Sequence, residues 1–253
     1  MNAQLRSFLA AVQYFTRLPV PASVGHSQQL LDDASRYFPA VGVLVGVMSA
    51  TALLLASFLW PPVVAAIIAV AASIWLTGAF HEDGLADATD GLGGGYGQQR
   101  ILEIMRDSRI GTYGTLALVL GISLRVAVLS ALPVTTACVL LVAGHASSRF
   151  AAVVLMWCLP YVREDESKAK PLSRNLSRSG LWVAAITTVV VLTLGAVLEP
   201  ALLGGVVPAV LVVLWWYRVL QRNLQGYTGD CLGAAQQLAE LGLFLGMLAA
   251  WYI

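Results

Sequence analysis

Charge is scarce in this chain. Only 11% of its 253 residues are Asp, Glu, Lys or Arg, where an ordinary soluble domain carries about 25%. So few charges cannot cover the surface of a water-soluble globule of this size. Cysteine is scarce as well. Three in the whole chain make no disulfide framework and exclude a stapled secreted module. Net charge is only +1, which removes the bulk electrostatic basis for binding nucleic acid. No Ser-His-Asp pattern, HExxH run or Cys/His pair with zinc spacing is present, so hydrolytic nucleophile chemistry has no support. Strand-like alternation is absent, which argues against a β-barrel. What is abundant is apolar: 58% of the residues are hydrophobic, far too many for a disordered chain. The composition is that of a polytopic membrane protein.

A helix needs about 20 apolar residues to cross the hydrocarbon core. Six stretches qualify, at residues 40–60, 62–80, 113–132, 135–159, 181–198 and 201–219. A seventh and weaker one, 233–253, must take in Glu240 to be long enough. The expected fold is therefore an all-α integral membrane bundle of six to seven transmembrane helices in a single domain, 1–253. Residues 7–15 follow Arg6 and lack a small-residue cleavage site, so they read as an amphipathic interfacial helix and not as a signal peptide.

Charge sets the expected topology. The short connections at 60–62, 132–134 and 199–200 hold no Lys or Arg. Every basic residue except Arg125 and Arg149 falls in the other connections or at their membrane edges, and the two kinds of connection alternate strictly. The positive-inside rule then places the N-terminus and the long loops in the cytoplasm. Glu199 is the one carboxylate on the opposite side, so polar chemistry is expected to face the cytoplasm. That favours a one-sided membrane enzyme over a pump or channel, which should carry ionisable groups through the full membrane depth.

The most informative stretch is His81-Glu82-Asp83-Gly84-Leu85-Ala86-Asp87-Ala88-Thr89-Asp90-Gly91, directly after the second span. If the helix continues, Asp83, Asp87 and Asp90 fall within about 60° of arc on one face, with Glu82 roughly a quarter turn away. Stacked like charges repel, and a hard divalent cation is their natural partner: Mg²⁺ takes carboxylate oxygens and leaves water sites open to phosphate. The competing reading is solvation, or pairing with loop arginines. The glycine run 91–97 that follows can cradle a phosphate or act as a hinge. It lacks the Lys-Ser/Thr of a P-loop.

Arg106 and Arg109, spaced i, i+3 at the start of span three, are candidate phosphate ligands. Their alternative is anchoring at the membrane edge or pairing with acids, Asp107 among them. Asp230, in Tyr227-Thr228-Gly229-Asp230, is either an N-cap of the last helix or a functional acid, with Thr228 beside it. Arg149 and His145, i, i+4 in span four, should face the bundle interior. Arg149 is a candidate for pairing with an aspartate or a substrate phosphate, and His145 reads as a packing or hydrogen-bonding residue. Arg125, nearer the outer end of span three, reads as a snorkelling side chain. Cys138 and Cys158 read as packing residues. The mixed-charge connection 161–180, with Arg163, Glu164, Asp165, Glu166, Lys168, Lys170, Arg174 and Arg178, reads as a solvated loop.

Acids able to hold a divalent ion, arginines and a glycine run on one face together point to phosphoryl or phosphodiester transfer. Phe15-Thr16-Arg17-Leu18-Pro19-Val20-Pro21, Tyr37-Phe38-Pro39, Gly78-Ala79-Phe80-His81-Glu82-Asp83-Gly84-Leu85-Ala86-Asp87, Met105-Arg106-Asp107-Ser108-Arg109-Ile110-Gly111 and Gly226-Tyr227-Thr228-Gly229-Asp230-Cys231-Leu232-Gly233-Ala234 resemble the cobalamin synthase family, the adenosylcobinamide-GDP ribazoletransferases. The resemblance runs in order over nearly the whole chain. It implies a Mg²⁺-dependent inner-membrane enzyme that joins adenosylcobinamide-GDP to α-ribazole or its 5′-phosphate and releases GMP. Carried onto this sequence, it puts metal on Asp83, Asp87 and Asp90. Glu82 and Asp230 become further catalytic acids, and Arg106, Arg109, Arg149, Thr228 and His81 become substrate contacts. The expected partners are those small molecules and the lipid bilayer, without nucleic acid, and a homo-oligomer is left open. Two alternatives remain. One is a CDP-alcohol phosphotransferase, whose opening Asp-x-x-Asp-Gly occurs at 87–91 without the Ala-Arg or the paired aspartates that should follow. The other is a cation or metabolite transporter.

Overall fold

The computed structural model describes residues 1–162 and 176–253. Arg163, Glu164, Asp165, Glu166, Lys168, Lys170 and Arg174 of the mixed-charge loop lie outside the described residues. Among the described residues the chain is helical throughout, without strands. The helices are α1 (Ala3–Phe15), α2 (Gln28–Ala34), α3 (Phe38–Ser57), α4 (Pro62–Thr77), α5 (Phe80–Gly94), α6 (Gln98–Ile104), α7 (Thr112–Ala131), α8 (Val134–Cys158), α9 (Arg178–Leu198), α10 (Leu202–Asn223) and α11 (Gly229–Trp251).

Six helical stretches are long and apolar enough to cross a membrane: Gln28–Ser57, which contains α2 and α3, and then α7, α8, α9, α10 and α11. A seventh is formed only if α4 and α5 are taken as one broken span. The expected bundle of six to seven crossings is therefore present. The last span is longer than the sequence suggested, because the helix starts at Gly229 and not at 233. Its start is set by Thr228, whose hydroxyl accepts from the Cys231 amide at 3.3 Å, an N-cap that satisfies one of the orphan donors of a helix start.

The second expected span is where the structure departs from a straight helix. α4 stops at Thr77, short of the expected 80, and α5 leaves it at 88°. The break sits at Gly78 and Ala79, both left-handed, with φ of 68° and 59°. Gly adopts that conformation freely, whereas Ala adopts it only where its surroundings impose it. The segment after α1 packs against this break. The Arg17 amide donates to the Leu76 carbonyl at 2.8 Å, and the Arg17 guanidinium packs over Gly78, where a Cβ would come within 3.0 Å of Nε. The cation thus covers the C-terminal end of α4, where the helix dipole favours it.

α1 is also more than an interfacial helix. Ala10, Ala11, Val12 and Phe15 are buried in the protein core, and Phe15 meets Phe38, Phe80 and His81 in one aromatic cluster. Elsewhere close helix crossings rely on missing side chains. A Cβ on Gly42 of α3 would lie 2.2 Å from the His145 carbonyl of α8, and one on Gly205 of α10 would lie 2.3 Å from the Leu243 carbonyl of α11. Small residues that let backbones touch are the usual basis of tight packing between membrane helices.

Candidate functional site

The acidic run lies on α5, a helix packed between α7 and α11. Its residues keep the expected periodicity, but the neighbours of α5 divide the acids into two groups. Asp83 is exposed and Asp87 half-buried, whereas Glu82 and Asp90 are buried.

Glu82 points into the bundle. Its Oε1 accepts from Arg125 Nη2 of α7 and from Gln237 Nε2 of α11, each at 3.1 Å. Arg125 also reaches Glu240 of α11 at 3.5 Å. Glu240 in turn meets His145 Nδ1 at 3.1 Å and Gln236 Nε2 at 2.7 Å, and Gln236 donates to Ser148 at 2.8 Å. Arg149 lies fully buried beside this network and donates to the carbonyl of His145 at 2.9 Å. The snorkelling expected of Arg125 is thus overturned: its side chain is 3% exposed and held between two carboxylates. Arg149 contacts its own helix and none of the described aspartates. His145 has the hydrogen-bonding role expected of it.

Asp90 is anchored at the other end of α5. Its two carboxylate oxygens accept from the amides of Gly111, at 2.6 Å, and Gly114, at 2.8 Å. These amides open α7, where exposed N–H groups and the helix dipole favour an anion. Both glycines are required by the contact. A Cβ on Gly111 would lie 2.5 Å from one Asp90 oxygen, and one on Gly114 would lie 2.4 Å from the other.

His81, expected beside the substrate, is buried and stacked on Phe15 with the rings 5.6 Å apart. The glycine run is not a loop from its start, since the helix continues through Gly94. Gly91 packs against Met105 and Gly93 lies beneath the Tyr113 ring, positions where any Cβ would collide.

α5 crosses α11 backbone to backbone at Gly84 and Gly233. A Cβ on Gly84 would meet the Asp230 carbonyl at 3.0 Å and the Asp230 Cα at 3.1 Å. Asp230 therefore leaves α11 beside the helix that carries Asp83 and Asp87. It sits one residue inside the helix start, and its neighbour Thr228 supplies the cap. Thr228 is fully buried and donates to Asp230 Oδ2 at 3.3 Å.

Tyr14 of α1 packs edge-on against Phe80. Burial, then the nearby Tyr161 hydroxyl and the Asp230 charge, push its phenol up to about 12. Tyr227 is likewise raised to about 12 by burial and by Tyr161 and Asp32. The Tyr161–Tyr227 bridge, with the Tyr227 amide donating to Pro160 at 2.9 Å, ties the end of α8 to the start of α11.

Arg106 and Arg109 are not an i, i+3 helical pair, because α6 ends at Ile104 and both lie in the turn before α7. Arg109 grips Asp107 through Nε and Nη2, with the shorter contact at 2.7 Å. Those hydrogen bonds hold the Asp107 carboxyl down to about 2. The pair lines a cavity of about 540 Å³ between Asp90, α6 and the start of α7, together with Arg100, Glu103, Thr112 and Tyr113. Cys158 is exposed at the end of α8, so its expected packing role fails, while Cys138 is half-buried.

Among the described residues no group of three or more His, Cys, Asp and Glu side chains is arranged to hold a metal ion. A closed cage of three aspartates is therefore not what α5 offers. What it offers is an exposed Asp83 and a half-buried Asp87 one turn apart. That donor set fits Mg²⁺, which is usually held by one or two carboxylates together with substrate phosphates and water. Arg125, Glu240, Gln236 and Gln237 escaped the sequence reading as a site. The available signal was a set of polar residues inside otherwise apolar spans, which normally face one another in the bundle.

Residues 7–248 match the family model described as cobalamin-5-phosphate synthase. The chain is similar to the adenosylcobinamide-GDP ribazoletransferase of Leptothrix cholodnii, 44% identical over 98% of this chain and 97% of that protein. It is similar to the same-named protein of Ralstonia nicotianae, 45% identical over 97% of this chain and 95% of that one. For the Shewanella amazonensis protein of that name the figures are 44%, 98% and 96%. No solved structure matched.

Proposed function

The chain belongs to the cobalamin-5-phosphate synthase family, and from that membership we propose that it is a Mg²⁺-dependent ribazoletransferase of the inner membrane, with its site facing the cytoplasm. It joins adenosylcobinamide-GDP to α-ribazole, or to α-ribazole 5′-phosphate, and releases GMP. The observation that carries this reading is the contact of α5 with the start of α11 at Gly84, which sets Asp230 beside the Asp83–Asp87 face.

In the reaction a ribose hydroxyl attacks the phosphorus on the corrinoid side of the pyrophosphate. A new P–O bond forms, the bond to the bridging oxygen breaks, and GMP leaves with that oxygen. Asp83 and Asp87 would hold the metal ion, which when bound neutralises charge on the phosphate oxygens and the leaving group. Asp230 stands ready to take the proton of the attacking hydroxyl, with Thr228 orienting its carboxylate. Arg106 and Arg109 lie in the turn before α7, where a guanidinium can meet a phosphate with two parallel hydrogen bonds. For Arg109 this means exchanging the exposed Asp107 carboxylate for substrate. The abundance of basic residues on one side of the spans supports a cytoplasmic N-terminus and a cytoplasmic site.

The test is Mg²⁺-dependent GMP release by protein purified in detergent, with adenosylcobinamide-GDP and α-ribazole as substrates. Asp87→Asn should insert normally in the membrane and lose turnover by more than about a hundredfold, beyond the usual loss for a group that only orients a metal ligand. Near-normal turnover of that variant at saturating Mg²⁺ would remove Asp87 from the metal site. Release of CMP from a CDP-lipid would replace the whole reading.

A further inference from the structure

The four acids at the start and middle of α5 are spaced as one functional run, yet the structure engages them differently. Glu82 is bound to Arg125 of α7 at 3.1 Å. Asp90, eight residues later and about 12 Å along the helix axis, is bound to the first amides of the same helix α7 at 2.6 and 2.8 Å. Both are buried, at 6% and 9% exposure, whereas Asp83, on the same helix, is exposed. α5 has just left α4 through an 88° bend, so α4 alone does not fix its direction. The close crossing with α11 at Gly84 and the two attachment points on α7 do.

We propose that Glu82 and Asp90 are positioning residues, a pair of clamps that hold α5 against α7 and so aim the Asp83–Asp87 face, and that neither is a metal ligand or a proton acceptor in the reaction. The assignment rests on the metal role given above to Asp83 and Asp87.

Charge accounting supports the clamp at Glu82. Arg125 lies between Glu82 and Glu240, with Arg149 buried beside them and His81, His145, Ser148, Gln236 and Gln237 as further polar neighbours. A bound Mg²⁺ drawing on Glu82 would strip Arg125 of its nearest partner. At Asp90 each oxygen already takes a backbone amide, and the two glycines whose Cβ atoms would displace it are in place.

The two roles separate in a binding experiment with Mn²⁺ as the probe, read by electron paramagnetic resonance on protein in detergent, beside hydrogen–deuterium exchange of residues 80–94. Asp83→Asn and Asp87→Asn should lose the Mn²⁺ site while exchange stays as in the wild type. Glu82→Gln and Asp90→Asn should keep the full number of sites, raise the Mn²⁺ midpoint by about fivefold or more, and open residues 80–94 to exchange. A merely structural role would lower the number of sites in step with folded protein and leave the midpoint unmoved, which would overturn the proposal. Loss of the site at Glu82→Gln or Asp90→Asn with wild-type exchange would also overturn it, by making that residue a ligand. If Glu82→Gln fails to accumulate, the charge-balanced pair Glu82→Gln with Arg125→Gln serves in its place: opened exchange with sites retained supports the clamp, and unchanged exchange refutes it. Wild-type protein that binds no Mn²⁺ would refute the metal role of Asp83 and Asp87, while exchange still decides whether Glu82 and Asp90 hold the helix.

Discussion

The two central spans and the two peripheral spans of this bundle solve the same membrane problem in opposite ways. In α8 and α11, 67% and 72% of the spanning segment is buried inside the protein, whereas in α9 and α10 the share is 17% each. The central pair carries His145, Ser148, Arg149, Gln236, Gln237 and Glu240, all buried and mostly bonded to one another. The peripheral pair is charge-free apart from Arg178 at the start of α9 and the last two turns of α10. Lipid offers no partner to a polar group. Protein can, so polar residues concentrate where other helices surround them. The same division runs through α5, where the buried Glu82 and Asp90 are bonded to α7 and Asp83 is exposed.

The contrast is sharpest at Glu240. Glu240→Leu should destabilise the protein by about 3–5 kcal/mol, the usual cost of removing one partner of a buried charge pair, read as thermal unfolding in detergent. A loss below about 1 kcal/mol would mean that the central polar cluster does not hold the bundle together. One step outward, α10 is peripheral but meets α11 through Gly205. Gly205→Val should cost about 1–3 kcal/mol by overpacking against the Leu243 carbonyl, and a neutral result would show that this crossing can relax. On the lipid side of α9, Val189 and Leu194 are exposed. Val189→Ala and Leu194→Ala should each change stability by less than about 0.5 kcal/mol. A larger effect would identify that face as a contact surface.

The smallest effect is expected at the exposed pair in the turn before α7. The Asp107 carboxyl is depressed to about 2 by its hydrogen bonds to Arg109. Between that value and the ordinary aspartate range the unfolded chain binds the proton more tightly. The pair's contribution is therefore complete above that range and disappears as pH falls toward 2. Arg109→Ala should return the carboxyl to the ordinary range in a carbon-13 NMR titration. An unchanged midpoint would show that Arg109 is not the cause.

Most of the crossings were legible in the sequence, as at 135–159 against Val134–Cys158, but the expected 62–80 does not qualify alone, because α4 ends at Thr77. The acidic helix was legible as a helix and as a stripe. The bend before it was not, because Ala79 gives no local sign of a left-handed conformation, and Arg17, which covers the break at Gly78, comes from a distant segment. Nor was the division of labour among the acids: the partner of Glu82 lies 43 residues away on α7, and that of Asp90 is a pair of amides exposed only once α7 begins. Arg125 was misread for the same reason, since its second carboxylate is 115 residues distant.

Apolar length and the placement of basic residues are local properties of the chain, so the amino acids alone settled that it is a multi-pass helical membrane protein and roughly where most of its spans lie. The direction a carboxylate faces on a given helix is a property of what packs beside it. Only the assembled bundle decided that α5 turns away from α4, that Glu82 and Asp90 are bound by α7, and that Asp83 stays exposed. The physical reason is that a buried charge must find its counter-charge or donor among distant segments, and only folding brings those segments together.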